Sequence, residues 1–566
     1  MVKKFRAQTY LGFLLLFSLI QSATPIGAQQ TPQRERRVTS ESAKPTSTPS
    51  PSPSPIVPVE SPQPSPTPDV AQIRKAATTH ALAELQARIA QVLHKPELAP
   101  AMVGIKVTSL ETGRVLFEEN ANKLLRPASN MKLYTVAAAL DRLSPDYRFV
   151  TSVYANEKPN DKGVVKGDLT IYGRGDPSIA ARFNSGDYFK GLDDLAARIA
   201  AAGVKKVEGD LIGDESYFTG PQYGSGWEWE DLQWYFGAEV SALTVNDNAL
   251  DLSVKPGAKV GAPAVITTGP PDPLLRVVNK VVTGAKGTKR DLNAYRQLAG
   301  DELEITGTIA LDDKGYTGGI GISHPALLFA YLLRASLAQH GVTVKGKTRT
   351  VDARRAAGFI VPPSLNLAAD SHGVEIASLQ SVPFSVIAAK TLKPSQNLYT
   401  EIILRTLGKV VLPPVNPPSI DSTSEADGIE VVKKFLQEAG LNPSSLVLSD
   451  GSGLSRNDMV TAEATVQLLT YMHRHRYAAV FREALPIAGV DGTLRNRFKG
   501  TPAENNLRAK TGTLSSASSL SGYVRDAAGE ELAFSIMVNN YPADADVRTN
   551  CIEPIAILLA SLAGKP

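Results

Sequence analysis

Two short motifs built on a serine, Ser129-Asn130-Met131-Lys132 and Ser395-Gln396-Asn397, stand about 260 residues apart, and a third, Lys510-Thr511-Gly512, closes the series. A helix and a neighbouring loop of one compact domain do not need that much chain between them, so the interval from Lys132 to Ser395 holds an insertion. Each motif alone is weak. A chain with this much Ser and Lys matches Ser-x-x-Lys by accident, and Ser455-Arg456-Asn457 is a second Ser-x-Asn. Order and surroundings supply the specificity.

Outside the interval the pattern predicts one sandwich of helices and strands. Leu82, Leu85, Ile89, Val92 and Leu93 recur at helical spacing, Val103, Ile105 and Val107 alternate as a half-buried strand, and Glu111-Thr112-Gly113 turns into Val115-Leu116-Phe117. Residues 519–526 and 531–541 read as strands, and Ile552, Ile555, Leu558, Leu559 and Leu562 as a closing helix. Inside the interval, residues 164–179, 242–254 and 303–313 carry strand and turn signals, with Asn246-Asp247-Asn248 as a hairpin turn, while Pro325 and Gly341 bracket a helix. The predicted fold class is α/β, an α+β sandwich carrying large, mostly β inserted domains. Its expected divisions are 72–155 and 376–566 for the sandwich and 156–375 for two inserted domains, one nested in the other.

The first residues read as an export signal. Lys3, Lys4 and Arg6 precede an apolar run from Tyr10 to Ile20 that is too short to span a bilayer, and Ile26-Gly27-Ala28 offers a cleavage point. Residues 1–28 are therefore expected to be a signal peptide, with an uncleaved anchor as the alternative, and residues 29–71, rich in Pro, Ser and Thr, an extended tether. Cys551 is the only cysteine, so no internal disulfide and no lipid attachment after the apolar run is available. The formal net charge is +4, and seven basic against four acidic residues in the first 70 carry most of it. Nucleic-acid binding gets no support from such a balance.

The three motifs make sense as one acyl-transfer site. Ser129 follows Arg126-Pro127-Ala128 and precedes the helical apolar series Met131, Leu133, Val136, Ala137 and Leu140, which places it at a helix N-terminus. Free amide donors and the positive end of the dipole favour an oxyanion there, and i, i+3 spacing brings Lys132 to the same face. A neutral Lys132 takes the hydroxyl proton, provided that burial and a charged Lys510 lower its pKa. Lys510 and the hydroxyls of Thr511 and Thr513 suit a substrate carboxylate, Gly512 lets ligand backbone approach, and Thr513 N–H is a second oxyanion donor. Ser395 and Asn397, in a short loop between helices, present a proton relay and an amide.

These residues resemble the D-alanyl-D-alanine carboxypeptidase/endopeptidase family, the class C low-molecular-mass penicillin-binding proteins, whose large domains are inserted between the first and second motifs. The resemblance covers about residues 72 to 566 and includes residues 175–178 (GDPS), Asp214 to Phe218, 226–231 (GWEWED), 241–248 (SALTVNDN) and 450–458 (DGSGLSRND). It implies a penicillin-binding transpeptidase/β-lactamase-like catalytic domain and an exported enzyme of the periplasm or wall space. Its implied partners are peptidoglycan stem peptides as substrate and β-lactams as covalent inhibitors, and it implies no cofactor and no metal. It further implies that Asp214, Phe218 and Arg456 hold the stem near the scissile bond, joined by Leu514 and Ser515, so that Ser455-Arg456-Asn457 belongs to a substrate loop.

Other residues are set aside. His473-Arg474-His475 has a spacing that does not share a helix face, Asp176 reads as a turn residue, and Gln396 is expected to point away from substrate. A β-lactamase or esterase on the same fold and a non-catalytic wall-binding protein remain the alternatives. The absence of a recognisable deacylating carboxylate argues against the β-lactamase, and intact Ser129, Lys132 and Lys510 against the non-catalytic protein.

Overall fold

The computed structural model describes residues 82–297, 300–352, 372–412 and 423–563. The expected signal peptide and tether lie outside these residues.

Five antiparallel strands form the first sheet, in the order Arg508–Leu514, Ala517–Arg525, Glu531–Asn539, Met102–Ser109 and Val115–Glu119. Met102 lies opposite Asn539 and Ser109 opposite Leu532, so the two ends of the described chain share this sheet as the sequence predicts. One face packs on the helices Leu82–Leu93 and Glu553–Ala560 through Ile105, Val107, Phe534 and Ile536. The strand Met102–Ser109 is buried on both faces, not half-buried. Lys106, on the second face, stays charged there by pairing with Glu118 at 2.5 Å and with Glu463 of the helix Ala462–His473 at 2.8 Å.

The helix Met131–Leu143 is buried along almost its whole length, which a one-sided apolar stripe does not do. It runs through the helical layer among Phe384–Leu392, Asn397–Val411 and Ser424–Glu438. This central course fixes its N-terminus against the strand Arg508–Leu514.

The interval forms a second five-stranded sheet in the order Thr348–Val351, Leu211–Asp214, Leu169–Tyr172, Val150–Ala155 and Val374–Gln380. Val150–Ala155 ends at the expected boundary 155/156, and its antiparallel neighbour Val374–Gln380, with Gln380 opposite Val150, crosses the one at 375/376. The expected cuts therefore separate strands that belong to one sheet, because the chain enters and leaves the insertion through a paired ribbon. The sheet is mixed and carries the helices Lys190–Ala201 and Pro325–Gln339, so this part is α/β where mostly β was expected. Leu192, Leu195, Ala196 and Ile199 give the missed helix its apolar face. Between them nests an all-β unit of two three-stranded sheets with its own small core of Leu252, Val254, Val281, Leu303, Ile305 and Ile309. Asn246, Asp247 and Asn248 adopt left-handed backbone, but they form a single helical turn that leads into the strand Ala249–Lys255, not a hairpin.

Candidate active site

Ser129 stands in a short turn, Ala128–Asn130, that runs directly into the helix Met131–Leu143. The turn is gripped from two sides. A Cβ on Gly453, whose φ is +76°, would fall 1.9 Å from the Ala128 carbonyl oxygen, and one on Gly512 would fall 2.5 Å from that of Pro127. Ser519 donates to the Pro127 carbonyl at 2.6 Å, and Asn130 Nδ2 donates to Ser521 Oγ at 2.7 Å. Only glycines let the loop at 453 and the strand at 512 come this close.

Lys132 is fully buried, with its Nζ 3.1 Å from Ser129 Oγ, 2.6 Å from Asn397 Oδ1 and 2.7 Å from the Ser452 carbonyl oxygen. Asn397 opens the helix Asn397–Val411, and its Nδ2 donates to the Phe236 carbonyl of the insertion at 2.8 Å. Gln396 is buried and caps that helix by accepting from Leu398 N–H at 3.2 Å. Ser395, with φ of +64°, presents its hydroxyl to Lys510 Nζ at 2.8 Å. Lys510 is also fully buried and donates to the Thr511 carbonyl at 2.8 Å, while the Thr511 hydroxyl donates to Thr493 Oγ1 at 2.8 Å. Three motifs thus converge through two hydrogen-bonded groups, Ser129-Lys132-Asn397 and Ser395-Lys510. Thr513 faces solvent on the edge strand, and Leu514 joins Ala128, Leu454, Ala517, Trp227 and Phe236 in an apolar wall.

Electrostatics correct one expectation. Burial pulls the Lys132 ammonium down to about 7, against the opposing pull of Asp450, Glu401 and Asp458. Lys510 is pushed well below the usual lysine range, by burial and by the charge on Lys132. Burial, and not a charge on Lys510, is the main cause of the low Lys132 value. The carboxylates that favour a proton gather around Lys132, whereas Lys510 meets a hydroxyl and a carbonyl.

The remaining predicted residues divide. Arg456 reaches the insertion, with Nη1 2.8 Å from Asp231 and Nε 2.6 Å from Glu228. Arg456, Glu228 and Ser515 line a cavity of about 640 Å³ together with Arg126 and Tyr541. Asp214 and Phe218 are not brought to this group. Asp214 is buried against His372 at 3.1 Å and accepts from Ser216 N–H at 2.9 Å. Phe218 packs in the core, where a Cβ on Gly175 would touch both it and Ile402. Asp231, Glu228 and the Ser452 carbonyl were missed, although GWEWED and DGSGLSRND were both marked; an acid chosen by its position in a motif cannot reveal which acid faces the arginine. His475 is bonded to Asp141 at 3.0 Å, and Asp176 receives Ser178 N–H at 2.8 Å in a turn.

A serine at a helix start, paired with a lysine one turn on and faced by an edge strand bearing Lys-Thr-Gly, defines the penicillin-recognising serine enzymes. The solved penicillin binding protein 4 (dacB) of Haemophilus influenzae shares the fold, with a TM-score of 0.69 at 23% identity over 83% of this chain and 97% of that one. The family model for the D-Ala-D-Ala carboxypeptidase 3 (S13) family matches residues 85–562, and the chain belongs to that family. It is similar to the D-alanyl-D-alanine carboxypeptidase of Actinomadura sp. (strain R39), at 35% identity over 495 residues, 85% of this chain and 86% of the relative. It is also similar to D-alanyl-D-alanine carboxypeptidase DacB of H. influenzae, at 26% over 78% of this chain and 85% of the relative.

Proposed function

We propose that Ser129 is the nucleophile and Lys132 the proton acceptor of this serine-type D-alanyl-D-alanine carboxypeptidase, a penicillin-binding DD-peptidase of peptidoglycan stem peptides. One observation carries the assignment. Two of the three partners of Lys132 Nζ, the Asn397 and Ser452 oxygens, are carbonyls that only accept, so a neutral amine spends both N–H bonds on them and turns its lone pair to the Ser129 hydroxyl. Ser129 Oγ then attacks the carbonyl carbon of the penultimate D-Ala, and its proton passes to Lys132. Collapse of the tetrahedral intermediate breaks the C–N bond, D-Ala leaves with a proton relayed through Lys132 and Ser395, and water hydrolyses the ester. Ser129 N–H and Thr513 N–H serve the oxyanion, and Lys510, Thr511 and Thr513 the terminal carboxylate, whose arrival favours the charged form of Lys510. Ser129→Ala should fold with an unchanged melting temperature and gain no mass on incubation with penicillin; an adduct on that variant would overturn the assignment.

Recognition of the stem is assigned to Arg456, Asp231, Leu514 and Ser515, with Asp214 and Phe218 holding the insertion in shape. The Arg456–Asp231 pair lies beside the cavity at Ser515 and supports this choice. Losing one charged hydrogen bond to substrate costs about 2 kcal/mol, so Arg456→Ala and Asp231→Asn should lower the specificity constant for wall peptides about 30-fold. Both should acylate with a small penicillin at near the normal rate. Equal losses on both substrates would move these residues into the acylation machinery. The enzyme is placed in the periplasm or wall space, where its substrate lies, in keeping with the basic and apolar start of the chain.

A further inference from the structure

Asp450 opens the loop that follows the strand Leu446–Val447 and is 2% exposed. Its carboxylate accepts five hydrogen bonds: from the N–H groups of Gly453 at 2.6 Å, Leu454 at 3.1 Å and Ser455 at 3.0 Å, from the Ser452 hydroxyl at 3.0 Å, and from Trp227 Nε1 at 2.8 Å. Five donors suit an ionised carboxylate. The loop wound around it does four things. It turns the Ser452 carbonyl onto Lys132 Nζ, gives the Gly451 carbonyl to the Thr135 hydroxyl at 2.8 Å, sets Gly453 against Ala128, and sends Arg456 to Asp231. Trp227 comes from the same stretch of the insertion as Glu228 and Asp231. One carboxylate therefore joins the segment that receives the peptide to the group that takes the proton.

We propose that Asp450 is the positioning residue of the acylation site, holding the Ser452 carbonyl on Lys132 and supplying the buried negative charge that sets how strong a base Lys132 is. This rests on the reading of Lys132 as the proton acceptor. The other ionisable groups around Asp450 do not share the task equally. Glu401 and Asp458, both fully buried, are pushed well above the usual carboxylate range by burial and by the charge on Asp450, so each holds a negative charge less readily than Asp450 does. Glu425 is raised less, with the buried guanidinium of Arg405 opposing its burial. The negative charge that Lys132 meets most directly is thus that of Asp450.

The test is the rate of Ser129 acylation by a fluorescent penicillin from about pH 5 to 9. In the natural enzyme the rate should rise with pH as Lys132 loses its proton. Asp450→Asn removes the charge and keeps the shape, so this limb should move to lower pH by about one unit, with a lower plateau from the weaker base. Asp458→Asn alters a carboxyl that holds its charge less readily and should move the limb clearly less than Asp450→Asn. Asp450→Glu keeps the charge, so its limb should stay near the natural position even if the rate falls. An Asp450→Asn enzyme that is slower at every pH with an unmoved limb would overturn the proposal, and so would an equal shift in Asp458→Asn. If Asp450→Asn does not fold, Asp450→Glu still decides, since a full unit of displacement with the charge retained contradicts the role. A natural enzyme with a flat profile would instead overturn the assignment of Lys132 itself.

Discussion

Lys132→Arg is expected to acylate about a thousandfold more slowly than the natural enzyme at every pH, the size of loss that follows removal of a well-placed general base. The guanidinium stays charged and has no lone pair to offer Ser129. It must also fit a fully buried site already closed by Ser129, Asn397 and the Ser452 carbonyl. Lys510→Arg should behave differently. Its fixed charge still meets the substrate carboxylate and repels a proton on Lys132, so acylation should remain within about tenfold of normal and its rising limb should move to lower pH. Melting temperatures separate loss of folding from loss of chemistry, and Lys132→Ala gives a further check, since a small primary amine should restore part of its rate. A Lys132→Arg enzyme as fast as Lys510→Arg would make Lys132 a fixed charge and send the search for the base elsewhere.

The second large effect belongs to a residue without a side chain. Gly453→Ala should cost about 3 kcal/mol in stability and lower acylation by more than a hundredfold, because its Cβ would meet a backbone oxygen, that of Ala128, at 1.9 Å. No rotamer relieves that contact, and the turn that must give way is the one holding Ser129. Gly440→Ala is the control. Its φ is +84° with nothing within 4 Å of the added carbon, so it should cost only about 1 kcal/mol and leave acylation intact. Denaturant midpoints beside penicillin acylation rates test both. Parallel behaviour of the two variants would mean that only the backbone conformation matters at Gly453.

How far these features could be read from the sequence depended on what kind of contact carries them. Ser129 and Lys132 are one helical turn apart, and a local spacing survives into the fold. That the two ends share one sandwich was legible because both carry apolar strands and helices, whereas the pairing of residues 531–539 with 102–109 was not. The helix Lys190–Ala201 is hard to read in the sequence because its apolar stripe, Leu192, Leu195, Ala196 and Ile199, spans only about two turns among strand signals. The pairing of Val374–Gln380 with Val150–Ala155 was not legible, because a strand carries no mark of which sheet it will join. Asp231 was missed for a related reason: a run of Trp, Glu and Asp fixes composition, whereas the choice among its acids is made by Arg456, more than two hundred residues later. That like charges lower each other's pKa was legible, but which of the two lysines holds its proton better was not, since it depends on Asp450, Glu401 and Asp458 arriving near Lys132 from distant segments.

The pairing of Met102–Ser109 with Glu531–Asn539 also sets an order in time. A growing chain displays Ser129 and Lys132 early, while the strand that clamps their turn and the Lys510 that faces them are among its last parts to be made. Closing so long a loop is slow, and nothing local substitutes for it. A chain that stops before residue 508 thus carries a serine without the strand that clamps its turn. Proteolytic removal of the chain from residue 508 onward should disarm the enzyme without touching the reactive pair, since it takes away Lys510 and the strand against the Ser129 turn.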